Sequence, residues 1–241
     1  GIRGVEEAFV HSSNRDEVNE LDISTNGRFL ASCDDAGEVV VLDLTHNGKK
    51  FSHLRGFHDN ICRTVKFHPT KPWTLCSGGF DCKINMMDFS QSKMEATVSM
   101  MDLNANAGVQ FCNPPFVHNL EYSDDGTYLA LGLGNYSAQV WNLRTVERLT
   151  LEGHMAAVTQ VAFVQLYADQ LHLVTGSDDR CIKLWEVRGS AAKQSWRGEA
   201  QHKEMLSAKT EAAIQWMSFS SASTPTLLVA DTSNIISSYS F

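Results

Sequence analysis

The sequence predicts an all-β protein built from repeated four-stranded sheets, the blades of a β-propeller. A large residue closes each of five units, at Leu42, Met87, Trp141, Trp185 and Tyr239, and these positions lie 45, 54, 44 and 54 residues apart. Within each unit, short runs of β-forming residues alternate with turns rich in Asp, Asn and Gly. Four short antiparallel strands in about 45 residues are typical of one propeller blade.

Each unit begins with a β-rich run that predicts its first strand. These five runs are Val18–Ile23, Cys62–Phe67, Val117–Tyr122, Val158–Phe163 and Ile214–Phe219. A turn such as Thr25-Asn26-Gly27 or Asp124-Asp125-Gly126 follows, then a second run, an Asp/Gly turn and a third run. A less regular fourth run is predicted in the first three units, at Phe51–Gly56, Ala96–Asp102 and Glu147–Leu151.

The remaining segments complete the predicted organisation. Val5–Ser12 is predicted as an orphan outer strand within residues 1–12, and part of the long connection Arg188–Ala213 as a fourth strand at Gln194–Arg197, with a mobile surface loop around it. We expect one propeller domain over 1–241, with approximate blades at 13–57, 58–102, 115–153, 154–198 and 211–241. The total of about 20 strands fits either a closed five-blade ring or an open arc of a larger ring.

One unit carries a specific family signature. It has Gly153-His154 at its head and Trp185-Glu186 at its tail, which resembles the Gly-His to Trp-Asp motif of the WD-repeat family. The resemblance implies a buried hydrogen-bonded tetrad of His154, Thr175, Asp179 and Trp185. Together with the missing initiator Met, it favours an arc of a seven-bladed ring.

The other units resemble the family less closely. The second keeps a partial tetrad and has Met87 in place of Trp, so its chain of hydrogen bonds is expected to stop short; the retained residues are His58, Ser77 and Asp81. The third keeps Trp141 but has Asn135 at the Asp position. The first and fifth units depart further.

Composition excludes several classes of function. Hydrophobic residues make up 43% of the chain and charged residues 20%, which is typical of a globular protein, and the net charge is −8. Such an acidic chain is a poor candidate for direct nucleic-acid binding or for an anionic membrane surface. No run approaches the about 18 apolar residues of a membrane span. The six cysteines lack metal-ligand or disulfide spacing, which predicts a cytoplasmic or nuclear protein without metal or cofactor.

No catalytic motif is present. The sequence has no nucleophile elbow, zinc-protease motif or phosphate-binding loop. Adjacent carboxylates such as Asp34-Asp35 and Asp178-Asp179 fall in predicted turns, where they favour turn chemistry over acid–base catalysis. We therefore expect a non-catalytic protein–protein interaction module and no enzyme.

The segment Leu173–Arg188 resembles the box found in WD-repeat receptors of the cullin 4 ubiquitin ligase. It ends in Trp185-Glu186-Val187-Arg188, and the third unit ends in the poorer copy Trp141-Asn142-Leu143-Arg144. The resemblance implies that Arg188, Arg144 and Glu186 lie on one rim and contact the adaptor, damaged-DNA-binding protein 1. Two alternatives remain: these arginines merely begin surface loops, or the chain is a peptide-binding scaffold of another complex.

Overall fold

The computed structural model describes residues 10–104, 113–166, 170–187, 202–220 and 225–240. They fall into two compact units, Gly1–Leu103 and Asn104–Phe241, which are described separately. All five sheets among these residues are antiparallel, with strands that follow one another in chain order. This arrangement confirms the predicted all-β fold of propeller blades, while the single domain and its blade boundaries stay predictions.

Unit 1 contains two four-stranded sheets. Blade 1 consists of β1 Val18–Ile23, β2 Phe29–Asp34, β3 Val39–Asp43 and β4 Lys49–Leu54, with a short 3₁₀-helix, Leu44–His46, between the last two strands. Blade 2 consists of β5 Cys62–Phe67, β6 Thr74–Gly79, β7 Lys83–Asp88 and β8 Lys93–Ser99. The short helix α1, Met100–Asn104, follows.

Unit 2 contains three further sheets. Blade 3 consists of β9 Val117–Tyr122, β10 Tyr128–Leu133, β11 Ala138–Asn142 and β12 Arg148–Leu151. Blade 4 consists of β13 Val158–Val164, β14 Leu171–Ser177, β15 Cys181–Val187 and β16 His202–Lys209. Blade 5 has three strands among the described residues, β17 Ile214–Ser220, β18 Thr226–Asp231 and β19 Ile236–Ser240.

Neighbouring blades within a unit share an apolar core and complement each other's first strands. In unit 1 the core joins residues of both blades, among them Phe29, Val41, Leu75 and Phe89. The backbone amides of Val65 and Phe67 on β5 donate to carboxylates on β1, Glu20 at 2.9 Å and Asp22 at 2.7 Å. In unit 2 the Val161 amide donates to the Asn119 side chain at 2.9 Å. Polar side chains of one blade thus satisfy edge amides of the next.

The five leading strands begin where the sequence predicts, and the departures lie in the outer strands. The fourth strand of blade 4 is β16, so its placement at Gln194–Arg197 was wrong; those residues lie outside the described ranges. β16 is mostly exposed and rich in charged residues, so it lacks the apolar alternation that marks a strand. β8 begins at Lys93, earlier than the predicted Ala96.

The predicted orphan strand is not seen in the part that can be described. Val10–Ser12 has no regular secondary structure, and the remainder of Val5–Ser12 lies outside the described residues. The described ranges hold 19 strands, against about 20 expected. None of the helices in these ranges has the length and apolar character needed to cross a membrane.

Candidate functional site

Blade 4 brings its four tetrad residues into one hydrogen-bonded chain. The Trp185 indole N–H donates to Thr175 Oγ1 at 2.9 Å, and this oxygen lies 2.7 Å from His154 Nε2. Because the hydroxyl accepts from Trp185, its own proton points to Nε2. The other ring nitrogen, Nδ1, lies 2.9 Å from Asp179 Oδ2 and carries the proton toward that carboxylate. Every polar atom of the chain then has a partner.

Asp179 also holds the turn around it. Its two oxygens accept the backbone amides of Met155 and Cys181, each at 2.8 Å. Burial raises the pKa of this carboxyl, but the amide of Met155 and the ring of His154 outweigh burial, so the pKa lies below its usual value. Burial lowers the pKa of His154, against the opposing effect of Asp179. The network therefore favours an ionised carboxylate and a neutral imidazole.

Blade 2 has Met87 in place of the tryptophan and an amide side chain, Asn85, beside its histidine. His58 Nδ1 lies 3.0 Å from Asp81, and Nε2 lies 2.8 Å from the Ser77 hydroxyl, as in blade 4. A separate branch starts at the His58 ring, because the Asn85 amide nitrogen lies 3.2 Å from Nε2 and donates to the Phe57 carbonyl at 2.6 Å. Met87 has no N–H to donate to the Ser77 hydroxyl, so the tryptophan link of blade 4 has no counterpart at this position, and Asn85 adds a bond at the histidine instead.

Blade 3 satisfies its tryptophan differently again. The Trp141 indole N–H donates to Gln139 Oε1 at 2.8 Å, and the Arg148 guanidinium lies 4.4 Å from the centre of the indole ring. Sequence reasoning missed both Asn85 and Gln139. The available signal was a polar residue two positions before the closing large residue, since residues i and i+2 of a strand share one face.

The residues proposed from the ligase box are only partly described. Arg144 is exposed in the turn between β11 and β12, and its backbone amide donates to Asn142 Oδ1 at 3.0 Å. Glu186 lies on β15 and pairs in register with His172 on β14. Arg188 lies outside the described residues. The structure therefore fixes the environment of Arg144 and of Glu186 alone.

The turn that holds Arg144, between β11 and β12, lies close to the β9–β10 turn of the same blade. Hydrogen bonds from Thr127 lower the pKa of Asp125 to about 2, with a smaller contribution from the charge of Arg144. The β9–β10 and β11–β12 turns thus lie at one end of blade 3. Within the described ranges, no three His, Cys, Asp or Glu side chains converge to hold a metal ion.

Comparison with curated proteins finds relatives among WD-repeat proteins. The chain is 25% identical over 192 residues to the WD repeat-containing protein 53 homolog of Dictyostelium discoideum, covering 72% of this chain and 52% of that protein. It is 29% identical over 179 residues to the E3 ubiquitin-protein ligase COP1 of Pisum sativum, covering 73% of this chain and 24% of that protein. For the Arabidopsis thaliana COP1 the identity is 26% over 201 residues, covering 82% and 27%. The chain therefore spans about half or less of these relatives.

A family model covers nearly the whole sequence. The model of the nucleolar protein 10-like N-terminal domain, a β-propeller, matches residues 7–235. This range includes all the described strands from β1 to β18 and ends just before β19, which begins at Ile236. Together with the repeated blades and the WD-repeat relatives, the match shows that the chain belongs to the nucleolar protein 10-like N-terminal domain family of WD-repeat β-propellers.

Proposed function

We propose that this chain binds protein partners without catalysis, as part of a substrate receptor of a cullin 4 ubiquitin ligase. In this proposal the adaptor is damaged-DNA-binding protein 1, and the contact includes Arg144, Arg188 and Glu186. The general role as a protein-interaction module is supported by the WD-repeat relatives, two of which are named as E3 ubiquitin-protein ligases. We also infer a nuclear or cytoplasmic protein that needs no cofactor, direct nucleic-acid contact or membrane.

The observation that carries the adaptor proposal is the exposed arginine on a well-held turn. Asn142 Oδ1 accepts the backbone amides of both Arg144 and Thr145, at 3.0 and 3.1 Å, which holds the turn while the Arg144 side chain stays exposed. A preordered backbone lowers the entropy lost on binding. A guanidinium offers bidentate hydrogen bonds to a partner's carboxylate or carbonyl groups.

Blade 4 supports the same proposal through its third strand. Arg188 directly follows Val187, the last residue of β15, and the same strand holds Trp185, whose indole is bonded to Thr175. Arg188 and Arg144 each stand three positions after the closing tryptophan of consecutive blades. Two arginines at equivalent positions of neighbouring blades would suit one adaptor surface.

The test is the affinity of this chain for purified damaged-DNA-binding protein 1. Arg188→Ala should weaken binding by about 2–4 kcal/mol, as for a hot-spot arginine. Arg144→Ala should weaken binding less than Arg188→Ala. The ligase box has an acidic residue where this unit has Asn142, and the Arg144 guanidinium already interacts with the negative charge of Asp125. Arg15→Ala is the matched control, since its side chain is 76% exposed in unit 1. All three variants should keep the wild-type melting temperature.

Two results would reject the ligase proposal. One is a wild-type chain that does not bind the adaptor; the other is a double variant, Arg144→Ala with Arg188→Ala, that binds as well as wild type. Either result would favour the alternative, a peptide-binding scaffold of a complex unrelated to ubiquitin ligation.

A further inference from the structure

Unit 1 carries a partly exposed cluster of aromatic side chains. Phe29, Phe51, Trp73 and Phe89 lie with ring centres 4.9–6.2 Å apart. Phe29 and Phe89 are buried, whereas Phe51 is 40% and Trp73 39% exposed. The two exposed rings are nearly parallel, at 15°. Phe51 and Trp73 therefore present a flat aromatic platform held from below by buried rings.

Cationic residues adjoin this platform in the chain. Lys49 and Lys50 precede Phe51 on β4, and Lys71 precedes Trp73 by two residues; all three are exposed. In the part of the chain that is described, no carboxylate forms an ion pair with any of them. The Arg28 guanidinium lies 4.7 Å from the centre of the Phe29 ring. We call Arg28, Lys49, Lys50, Phe51, Lys71 and Trp73 the aromatic-basic surface.

The carboxylates of this region are already engaged. Asp43 accepts from Arg28 at 2.9 Å and from the Thr45 hydroxyl at 2.5 Å, and these bonds, led by that of Thr45, lower its pKa. Asp88 accepts from the Ser90 hydroxyl at 2.6 Å, and this bond is the main cause of its lowered pKa. The three lysines therefore keep a local positive charge on a chain whose net charge is −8.

A small cleft continues this surface. The β1–β2 turn and the β5–β6 turn line it, from Ser24 to Asn26 and from Phe67 to Pro72, and its volume is about 210 Å³. The Thr25 hydroxyl donates to the Pro69 carbonyl at 2.9 Å, which ties the two turns together. Cofactor and drug-sized ligands need about 300–1,000 Å³. The cleft therefore suits one side chain of a larger partner.

From these observations we infer that the aromatic-basic surface docks an acidic peptide segment with an apolar anchor residue. The anchor would lie on Phe51 and Trp73 or in the adjoining cleft, and acidic residues beside it would pair with Lys49, Lys50 and Lys71. The local positive charge of the lysines, on a chain that is acidic as a whole, favours a short acidic peptide over a long nucleic acid. A long nucleic acid would meet the acidic remainder of the chain, whereas a short acidic segment meets only the local cations, because screening limits charge effects to about 8 Å at physiological salt.

This inference extends the proposed function without resting on it. The aromatic-basic surface lies in blades 1 and 2, and none of its residues belongs to the proposed adaptor contact. If the chain does not bind the adaptor, the peptide-docking inference is unaffected. If the surface does not bind the peptide, the adaptor proposal is unaffected.

A random twelve-residue peptide library displayed on phage tests the surface on the whole chain. Selection should enrich peptides with several Asp or Glu residues around an aromatic or large aliphatic residue. The enriched peptide should lose at least about tenfold in affinity for Lys49→Glu/Lys50→Glu and for Trp73→Ala. The matched controls are Lys203→Glu/Lys209→Glu, an equal charge change on β16, and Trp216→Ala, which removes another exposed tryptophan; both should stay within about twofold of wild type.

Three outcomes would overturn the inference. The first is a selection without acidic, apolar-anchored peptides. The second is an equal loss of affinity in the control variants, which would indicate net charge or general instability as the cause. The third is a ten-nucleotide uridine RNA that binds this surface more tightly than the selected peptide, which would assign it to single-stranded nucleic acid.

Discussion

Individual buried polar atoms are satisfied in three different ways in blades 2, 3 and 4. A tryptophan N–H donates to Thr175 in blade 4 and to Gln139 in blade 3, and in blade 2 the Asn85 amide contacts the His58 ring and donates to the Phe57 carbonyl. An unpaired buried donor costs about 1–3 kcal/mol. A substitution at one position of the network is therefore tolerated where a neighbouring side chain supplies the lost bond.

The contribution of the intact tetrad can be measured by removing one bond. Trp185→Phe should lower the free energy of unfolding by about 1–3 kcal/mol, because the Thr175 hydroxyl loses its indole donor and a gap opens in the core. Met87→Leu is the control at the equivalent position of blade 2 and should cost under about 1.5 kcal/mol, since no hydrogen bond is lost. Urea denaturation measures both changes in the free energy of unfolding. Equal losses in the two variants would show that the indole hydrogen bond does not contribute measurably to stability.

The titration of His154 predicts a loss of stability in acid. Its pKa in the folded state lies below the ordinary value of 6.5, chiefly because it is buried. The unfolded chain therefore binds the proton more readily than the folded chain. The stability that the neutral His154 imidazole contributes is fully present above pH 6.5, and it is lost as the pH falls from 6.5 through the pKa of the folded state. Burial lowers the pKa of His172 as well, so it contributes in the same direction.

His154→Gln isolates the tetrad's share of this effect. Urea midpoints at pH 7, 6 and 5 should fall more steeply for the wild type than for the variant, which keeps only the slope from groups such as His172. Parallel pH profiles for the two proteins would contradict the assignment to His154.

The sequence could predict the tetrad but not its substitutes. Gly-His and Trp-Glu at the ends of one unit, with Thr and Asp between them, predict four residues whose side chains prove to be bonded in sequence. Asn85 and Gln139 each stand two positions before the closing large residue, but the residue type at that position differs from unit to unit, so side-chain geometry is needed to identify the contact that each one makes. Arg188 illustrates a different limit, since its role rests on resemblance and its position is not described.

Among the elements, inner strands are more predictable than outer ones. The leading strands β5, β9, β13 and β17 each hold fully buried apolar residues, and their β-rich runs are therefore recognisable in the sequence; β1 has no fully buried residue and is identified by its β-rich run and the Thr25-Asn26-Gly27 turn that follows it. In all five blades the pairing of the first two strands shifts near the start of the first strand, at Val18/Glu20, Cys62/Thr64, Val117/Asn119, Val158/Gln160 and Ile214/Trp216. Such bulges locally bend and twist a sheet. The outer strand β16 lacks burial on either face, and therefore lacks the signal.

A glycine on β6 tests how closely the blades' connecting loops approach their strands. A methyl group added at Gly79 would lie 2.6 Å from the Ile61 carbonyl oxygen and 2.9 Å from His58 Nδ1. Gly79→Ala should therefore destabilise the protein by about 3 kcal/mol, through backbone displacement and disruption of the His58 network. Gly27→Ala is the control: its φ is +68° but nothing lies within 4 Å, so we expect a cost of about 1 kcal/mol.

Differential scanning calorimetry of the two alanine variants separates these causes. A Gly79→Ala variant no less stable than Gly27→Ala would mean that the loop from His58 to Ile61 moves aside at little cost. The difference between the two variants measures the rigidity of that loop.

At the scale of the whole molecule, blade 5 has exposed apolar side chains on one face of its sheet. Trp216, Ala230 and Ile236 pair across its three strands and so share one face, on which Leu228 also lies. Trp216 is 53% and Ile236 74% exposed, whereas Val229 and Leu227 on the opposite face are buried. An apolar face of this kind on an otherwise acidic chain promotes association. The residues of this face come from three different strands. The alternation of side chains along each strand predicts which residues share a face, but it does not predict that this face is exposed to solvent.

Removing this apolar face should reduce self-association of the chain while the protein stays folded. Trp216→Ser/Ile236→Ser should decrease concentration-dependent light scattering, because the substitutions replace the two largest exposed side chains on the face. The free energy of unfolding should fall by only about 1–2 kcal/mol, since Ile236 is 74% exposed and Trp216, at 53%, loses only its remaining contacts with the sheet. Val146→Ser/Met155→Ser is the matched control: both residues are more than three-quarters exposed, but they lie in separate turns. An equal decrease in the control would attribute association to general hydrophobicity, and an unchanged scattering curve would show that the blade 5 face does not mediate it.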